Sequence, residues 1–434
     1  MSAEVHEAQG SQGASQRAVE VRAQLRKRNF KAPVAFAIVS VLALLLAVPF
    51  ARQGHSTFRL ADRSSSVEMP DIDVPTGPTV LVCALLLVAL AALSFWFANR
   101  YRPAPLWLTV VFAFIGIFAF LTWSAAGGLV PVTGLLFGAV SLSVPLIYGA
   151  LGGVIGERAG VVNVAIEAQF LFAAFTSAMI GTITGSYVVG LVGAVFAGVL
   201  VAAVLAVFAI RYVVEQVIVG VVLNVLVTGL TSFLHGAVMV PNAATLNAPP
   251  RFPRWAIPGL SEIPVLGPVL FNQTLIVYLA YIIVPLVAWG LYRTRWGLRL
   301  RAVGEHPKAA DTVGIKVNPT RFWNVLLAGG IAGIGGAYFT LGAVGSFDKE
   351  MAGGLGFIAL AAVIFGGWDP VRATLAALLF GFATNLQTLL KNLGSPIPGE
   401  FMSMLPYIVT VLAVVGFAGK VRAPAADGKP YIKG

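Results

Sequence analysis

The chain reads as long apolar runs separated by short polar breaks. Runs suited to crossing lipid fall at 34–50, 78–98, 105–125, 130–154, 164–183, 187–209, 216–238, 273–292, 323–343, 371–391 and 402–418. A helix needs about 20 predominantly apolar residues to cross the hydrocarbon layer, with a range of about 17–25. A shorter apolar run, 353–367, ends at Gly366-Gly367-Trp368-Asp369-Pro370 and reads as either a short span or a re-entrant half-helix. The pattern predicts an all-α fold, a polytopic transmembrane helical bundle of about 11–12 segments. Residues 132–185 and 353–391 each open with a Gly-rich apolar run that breaks at Gly and a charged residue. Transporters often contain inverted repeats with interrupted helices in matching positions, so the core is expected to hold inverted repeats with broken helices.

Composition supports the membrane reading. Of 434 residues, 58% are hydrophobic and 11% charged, against about 25% charged in soluble domains. The 47 glycines suit close helix approach in lipid. A net charge of +11 would suggest nucleic acid in a soluble protein; here it points to basic cytoplasmic loops and to no nucleic-acid partner. The lone Cys83 forms no internal disulfide and no cysteine metal site.

Charge also sets orientation. The polar stretch 1–32 carries Arg22, Arg26, Lys27, Arg28 and Lys31. It is too long for the charged region of a secretory signal, so it is expected to be a cytoplasmic, disordered tail before an uncleaved first span. Alternation then places Arg100, Arg102, Arg211 and the basic stretch Arg293–Arg321 inside, with the loops 51–77 and 239–272 outside. Lys420, Arg422, Lys429 and Lys433 fall inside only if 353–367 counts as a crossing. Residues 33–127 form N-terminal extra spans that lack the polar interruptions of the remainder. The core is expected over 128–418, with a cytoplasmic C-terminal tail at 419–434.

Three segments could carry chemistry. The first is Gly156–Phe170, a polar run between two long apolar ones. Lipid tolerates irregular polar backbone only where protein or a water-filled cavity surrounds it. Asn163 and Glu167 share a helical face at i, i+4, with Gln169 nearby. They read either as lining a passage for a polar solute or as packing helices together. Glu157-Arg158 reads as a cytoplasmic turn, with Asn163 as a helix N-cap in that alternative. The second segment is Glu215–Asn224. Gln216 and Asn224, eight residues apart, face roughly one way, as interhelical hydrogen-bond partners or as ligand contacts. The third is Trp296–Ile315. Pro307 can occupy a first helical turn and Gly314 can end the helix. The result is a helix of about two turns carrying Ala309, Ala310 and Val313, either a plug for a groove on a cytoplasmic partner or a solvated basic loop.

Several chemistries are excluded. No G-x-x-x-x-G-K-[ST] occurs, so this chain does not hydrolyse ATP through a P-loop. No H-E-x-x-H occurs, and His6, His55, His235 and His306 are scattered. An ion-coupled secondary transporter, which stays as the alternative class, would predict paired buried acids at the membrane midplane, where Glu167 is alone. A membrane enzyme would need clustered His, Asp or Glu at a membrane face.

Together the three segments resemble the permease subunits of bacterial ABC importers for branched-chain amino acids, ribose and nucleosides. Gly156–Phe170 is similar to that group's "GERxGVxNxxxEGxxL" signature. Gln216–Asn224, continuing into Gly229-Leu230-Thr231-Ser232-Phe233-Leu234, is similar to the "QxxxGxxLN…GLTSFL" block, and Gly297–Ile315 to its coupling segment. The likeness covers about 130–418 and is nearest to the second permease of nucleoside importers. Ala168 stands where the family often has Gly, and Gln216 where the sister permease commonly has Glu.

The resemblance implies a pore-forming, non-enzymatic subunit of an ATP-driven importer in the bacterial cytoplasmic membrane. It implies a heterodimer with a sister permease, an extracytoplasmic substrate-binding lipoprotein, and a separate ABC ATPase that carries the ATP and Mg. This chain would hold no cofactor or metal. Asn163, Glu167, Gln169, Gln216 and Asn224 would form the substrate pathway. Gly304, Glu305, Pro307, Ala309, Ala310 and Gly314 would form the ATPase coupling helix. Simple sugars such as ribose or galactose remain the alternative solutes, and an ion-coupled secondary transporter the alternative class.

Overall fold

The computed structural model describes residues 30–61, 69–394, 398–404, 407 and 422–433. The tail expected at 1–32 and the last expected span, 402–418, therefore lie largely outside the described residues. Among the described residues, nine helices are long and apolar enough to cross a membrane, and Lys31–Ala47 and Leu355–Gly366 are shorter apolar helices. The chain is a multi-pass helical membrane protein.

Two units divide the chain by their contacts, with Val130 and Pro131 on either side of the main boundary. In the first, α1 (Lys31–Ala47), α2 (Thr76–Asn99) and α3 (Leu106–Ser124) pack together. Phe36 of α1 stacks on Phe112 of α3 with ring centroids 4.0 Å apart. The expected outer loop 51–77 contains two strands, β1 (His55–Arg59) and β2 (Ile72–Pro75), which pair antiparallel, and Leu129–Pro131 adds β3 in the order β2-β1-β3. Ser56 turns inward and donates to the Thr122 carbonyl at 2.7 Å. Strands this short carry too little alternation to stand out beside long apolar helices.

The second unit begins with α4 (Val132–Arg158), α5 (Ile166–Thr184), α6 (Tyr187–Ala206) and α7 (Gln216–Leu234). After a short pairing of Arg254–Ala256 with Asn272–Thr274 comes α8 (Leu275–Arg293). The expected basic loop is two helices, α9 (Arg295–Glu305) and α10 (Pro307–Thr312). Next are α11 (Val317–Ala337), α12 (Leu355–Gly366) and α13 (Pro370–Asn392). The core lies where α4, α5, α6 and α11 meet, with α12 and α13 against α4. Helices α6 and α11 approach through glycine: a Cβ on Gly198 would come within 2.9 Å of the Gly333 Cα. Such small-residue seams let backbones pack tightly where lipid gives no hydrophobic drive.

Helix α12 has 12 residues and is about 18 Å long, short of the roughly 30 Å hydrocarbon thickness. Its lead-in is irregular, with Gly345, Gly353 and Gly354 all in the left-handed region (φ 86°, 56° and 83°). Of the two readings of 353–367, the helix length fits the half-helix. Backbone of this kind needs protein partners at depth.

Candidate functional site

The partners of α12 come from the first polar segment. Glu167, in the first turn of α5, accepts the Gly354 N–H at Oε1 (2.9 Å) and the Gly356 N–H at Oε2 (2.7 Å). A carboxyl there satisfies donors that a helix start leaves unpaired. At the other end of α12, Arg158 donates from Nε to the Trp368 carbonyl (3.0 Å) and from Nη2 to the Gly367 carbonyl (3.5 Å). The Trp368 indole N–H donates to Glu157. Asp369 and Pro370 then start α13: Asp369 Oδ1 accepts the Arg372 N–H at 2.9 Å, an N-cap followed by proline in the first turn. Glu157, Arg158 and Glu167 thus hold the short helix at both ends.

The break itself, residues 159–165, is held from the other side by α7. Gln216 Oε1 accepts the Val162 N–H (2.8 Å). Asn224 accepts the Ala168 N–H (2.9 Å) and donates to the Val164 carbonyl (2.9 Å). Gly220 lies midway between them, one helical turn from each, and a Cβ there would come within 2.8 Å of the Val164 Cβ. Gln216, Gly220 and Asn224 therefore form one stripe at i, i+4, i+8 against the break. Asn163 and Gln169 exchange a reciprocal amide pair at 3.2 and 3.3 Å. All five residues expected in the substrate pathway are buried, and the structure brings them together around one irregular segment.

Two details of the turn reading need correction. Glu157 is buried rather than in a solvated turn, because it serves Trp368. Asn163 does not cap α5; Ala165 occupies that position, and the Asn163 side chain is taken by Gln169. The residues that sequence reasoning missed are Gly354, Gly356 and Trp368. The glycine-rich break at 366–370 was visible, but nothing local paired it with Glu157.

The short helix expected here is present as α10, with Pro307 at its first position and Gly314 just beyond it in the left-handed region (φ 85°). Its faces differ from expectation. Ala310 is 3% exposed and packs with Val303 and Val317, while Ala309 faces outward and Val313 is 75% exposed. Any surface offered to a partner is therefore the Ala309–Val313 side. Glu305, at the end of α9, lies 4.0 Å from Arg158, and a Cβ on Gly304 would strike the Arg158 carbonyl. The end of α9 thus bears directly on the end of α4.

Arg321 of α11 is buried and faces Asp427, which also lies near Glu157. Burial pushes the Asp427 carboxyl up, to about 7, with Arg321 partly opposing the rise.

Residues 135–414 match the family described as branched-chain amino acid transport system, permease component. Over 299 residues the chain is 40% identical to the guanosine ABC transporter permease NupQ of Bacillus subtilis, covering 67% of this chain and 93% of that protein. Over 305 residues it is 39% identical to the nucleoside ABC transporter permease NupC of Lactococcus lactis, with 67% and 94% covered. A Haloferax volcanii permease provisionally named for glucose is 35% identical over 307 residues, with 66% and 91% covered. No solved structure matches.

Proposed function

Because the chain belongs to the family of branched-chain amino acid transport permease components, we propose that it is the membrane-spanning permease of an ATP-driven ABC importer, with nucleosides as its solutes. The observation that carries this reading is its likeness, over nearly their whole length, to permeases named for guanosine and nucleosides. The lower identity to the permease named for glucose ranks simple sugars second.

In this reading the protein sits in the bacterial cytoplasmic membrane beside a sister permease, which fits Gln216 standing where the sister commonly has Glu. A substrate-binding lipoprotein delivers the solute outside. A separate ATPase, carrying ATP and Mg, docks inside on the Ala309–Val313 face of α10. Motion of α10 and α9 reaches Arg158 through Gly304 and Glu305, and Arg158 sits on the end of α12. Asn163, Glu167, Gln169, Gln216 and Asn224 act on the pathway by setting the shape of its broken helices. Their polar groups serve protein backbone or one another, so the solute meets a wall shaped by this lock. Weak contacts of that kind suit a pore that must release what it carries.

The test is uptake of labelled guanosine and uridine by cells with and without the gene, with unlabelled ribose, galactose and leucine as competitors. Loss of uptake on deletion, resistant to the sugars and leucine, is the expected result. Unchanged nucleoside uptake with lost sugar uptake would overturn the solute.

A further inference from the structure

The C-terminal segment 422–433 falls within the expected cytoplasmic tail 419–434, yet it is built into the structure around α9 and α10. Its turn places the Ala426 N–H on the Gly304 carbonyl at 2.9 Å and the Ala425 N–H on Glu305 Oε2 at 3.2 Å. Arg321 reaches out of α11 to donate to the Lys429 carbonyl (2.7 Å) and the Ala426 carbonyl (3.5 Å). Gly160, in the break, has its open side filled by the same guanidinium and by the Ala426 carbonyl. Further along, Tyr431 packs on the small cluster of Val303, Ala310 and Val317, which holds α10 in place.

Four parts of the fold therefore meet on one short segment of chain: the end of α9, the helix α10, the base of α11 and the break. The anchoring is costly in charge terms. Arg321 Nε, Glu157 Oε1 and Asp427 Oδ1 are all buried without a hydrogen-bond partner. Buried polar atoms left unpaired are rare and call for an explanation. A segment that served only as a loose end would not bring its own carboxyl, Asp427, against the buried Arg321.

We propose that residues 422–433 form a strap that positions α10 for the ATPase and transmits its displacement to the break at 159–165, with Arg321 as the residue that anchors the strap. The inference rests on the importer reading for the identity of the driving partner. The strap ties α9, α10 and α11 to the break, so a push on the exposed face of α10 moves Gly160 with it. Without the strap, the hydrogen bonds at Gly304 and Glu305 and the Tyr431 packing are gone, and α10 can shift while the break stays still.

The test uses the assembled importer in lipid nanodiscs, comparing the full chain with a chain ending at Val421 and with Tyr431→Ala. Hydrogen exchange over residues 160–168 is read by mass spectrometry with and without ATP, and solute carried per ATP hydrolysed is read in liposomes. The ATP-induced change in exchange is expected to shrink about tenfold in the truncated chain, within the range of ordinary coupling free energies. Solute carried per ATP is expected to fall while hydrolysis continues. Should the truncated chain fail to accumulate, Tyr431→Ala decides, with a smaller drop in both readouts expected. An unchanged ATP-induced exchange pattern in either assembled variant overturns the strap. Exchange is read without reference to the solute, so a wrong solute shows as absent uptake in the full chain with the exchange comparison intact.

Discussion

Replacing Glu167 with glutamine removes one acceptor from the pair that holds the start of α12. The carboxyl accepts from Gly354 at 2.9 Å and from Gly356 at 2.7 Å. Glutamine keeps the shape and one oxygen, but its NH2 group faces a backbone N–H that it cannot accept. The site is buried. One hydrogen bond is lost and one buried donor is left unpaired, a cost of about 1–3 kcal/mol. The loss is local: α12 keeps its contacts with α4 and α13, so its first turn frays while the bundle persists. At about 1.4 kcal/mol per factor of ten, the Gly354 and Gly356 amides should exchange roughly 5- to 150-fold faster in the variant. Hydrogen exchange on the purified protein in nanodiscs measures this. The Arg372 amide, held by Asp369 at 2.9 Å, is the internal control and should not change. Equal acceleration at Arg372 would mean global loosening. Acceleration of less than about twofold at the two glycines would refute the capping role.

Other substitutions probe the remaining contacts. Asn224→Leu strips the Ala168 N–H and the Val164 carbonyl of their partner. It should lower the yield of folded permease and the uptake together, by about 2–4 kcal/mol of stability, read as a drop in thermal midpoint in detergent. Val313→Glu puts a charge on the exposed face of α10 and should block co-purification of the ATPase while leaving the thermal midpoint within a degree or two, since exposed sites rarely shift stability by more than about 0.5 kcal/mol. Asp427 has an ordinary value of 3.8 that burial raises to about 7. The docked strap therefore binds this proton more tightly than the free strap does. Docking is fully supported below about pH 4 and weakens as pH climbs through about 7. Exchange protection of residues 425–429, corrected for intrinsic rate, should fall between pH 5 and pH 8, and Asp427→Asn should flatten that fall; a flat profile in the unchanged protein would contradict it.

The apolar runs were legible because a lipid solvent demands length and internal hydrogen bonding of every span, and those demands are written in composition. The polar residues of the break were legible for the same reason, as exceptions. Their partners were not. Glu167, Gln216 and Asn224 bind backbone groups at 354, 356, 162, 164 and 168, and a backbone amide has no side-chain signature. The direction of α10 was likewise hidden: Ala309 and Ala310 are chemically alike, and only packing against Val303 and Val317 turns Ala310 inward. The strands at 55–59 and 72–75 are too short for their alternation to register. The contacts of 422–433 were hidden because most of its anchors are main-chain atoms and the arginine that grips it lies 105 residues away.

The most direct test of the importer account is uptake of labelled guanosine into liposomes holding this permease, its sister, the ATPase and the receptor, with ATP on the ATPase side. Uptake that requires ATP and receptor, and that survives collapse of proton and sodium gradients, is the predicted result. Uptake that proceeds without ATP and stops when an ion gradient is collapsed would contradict it.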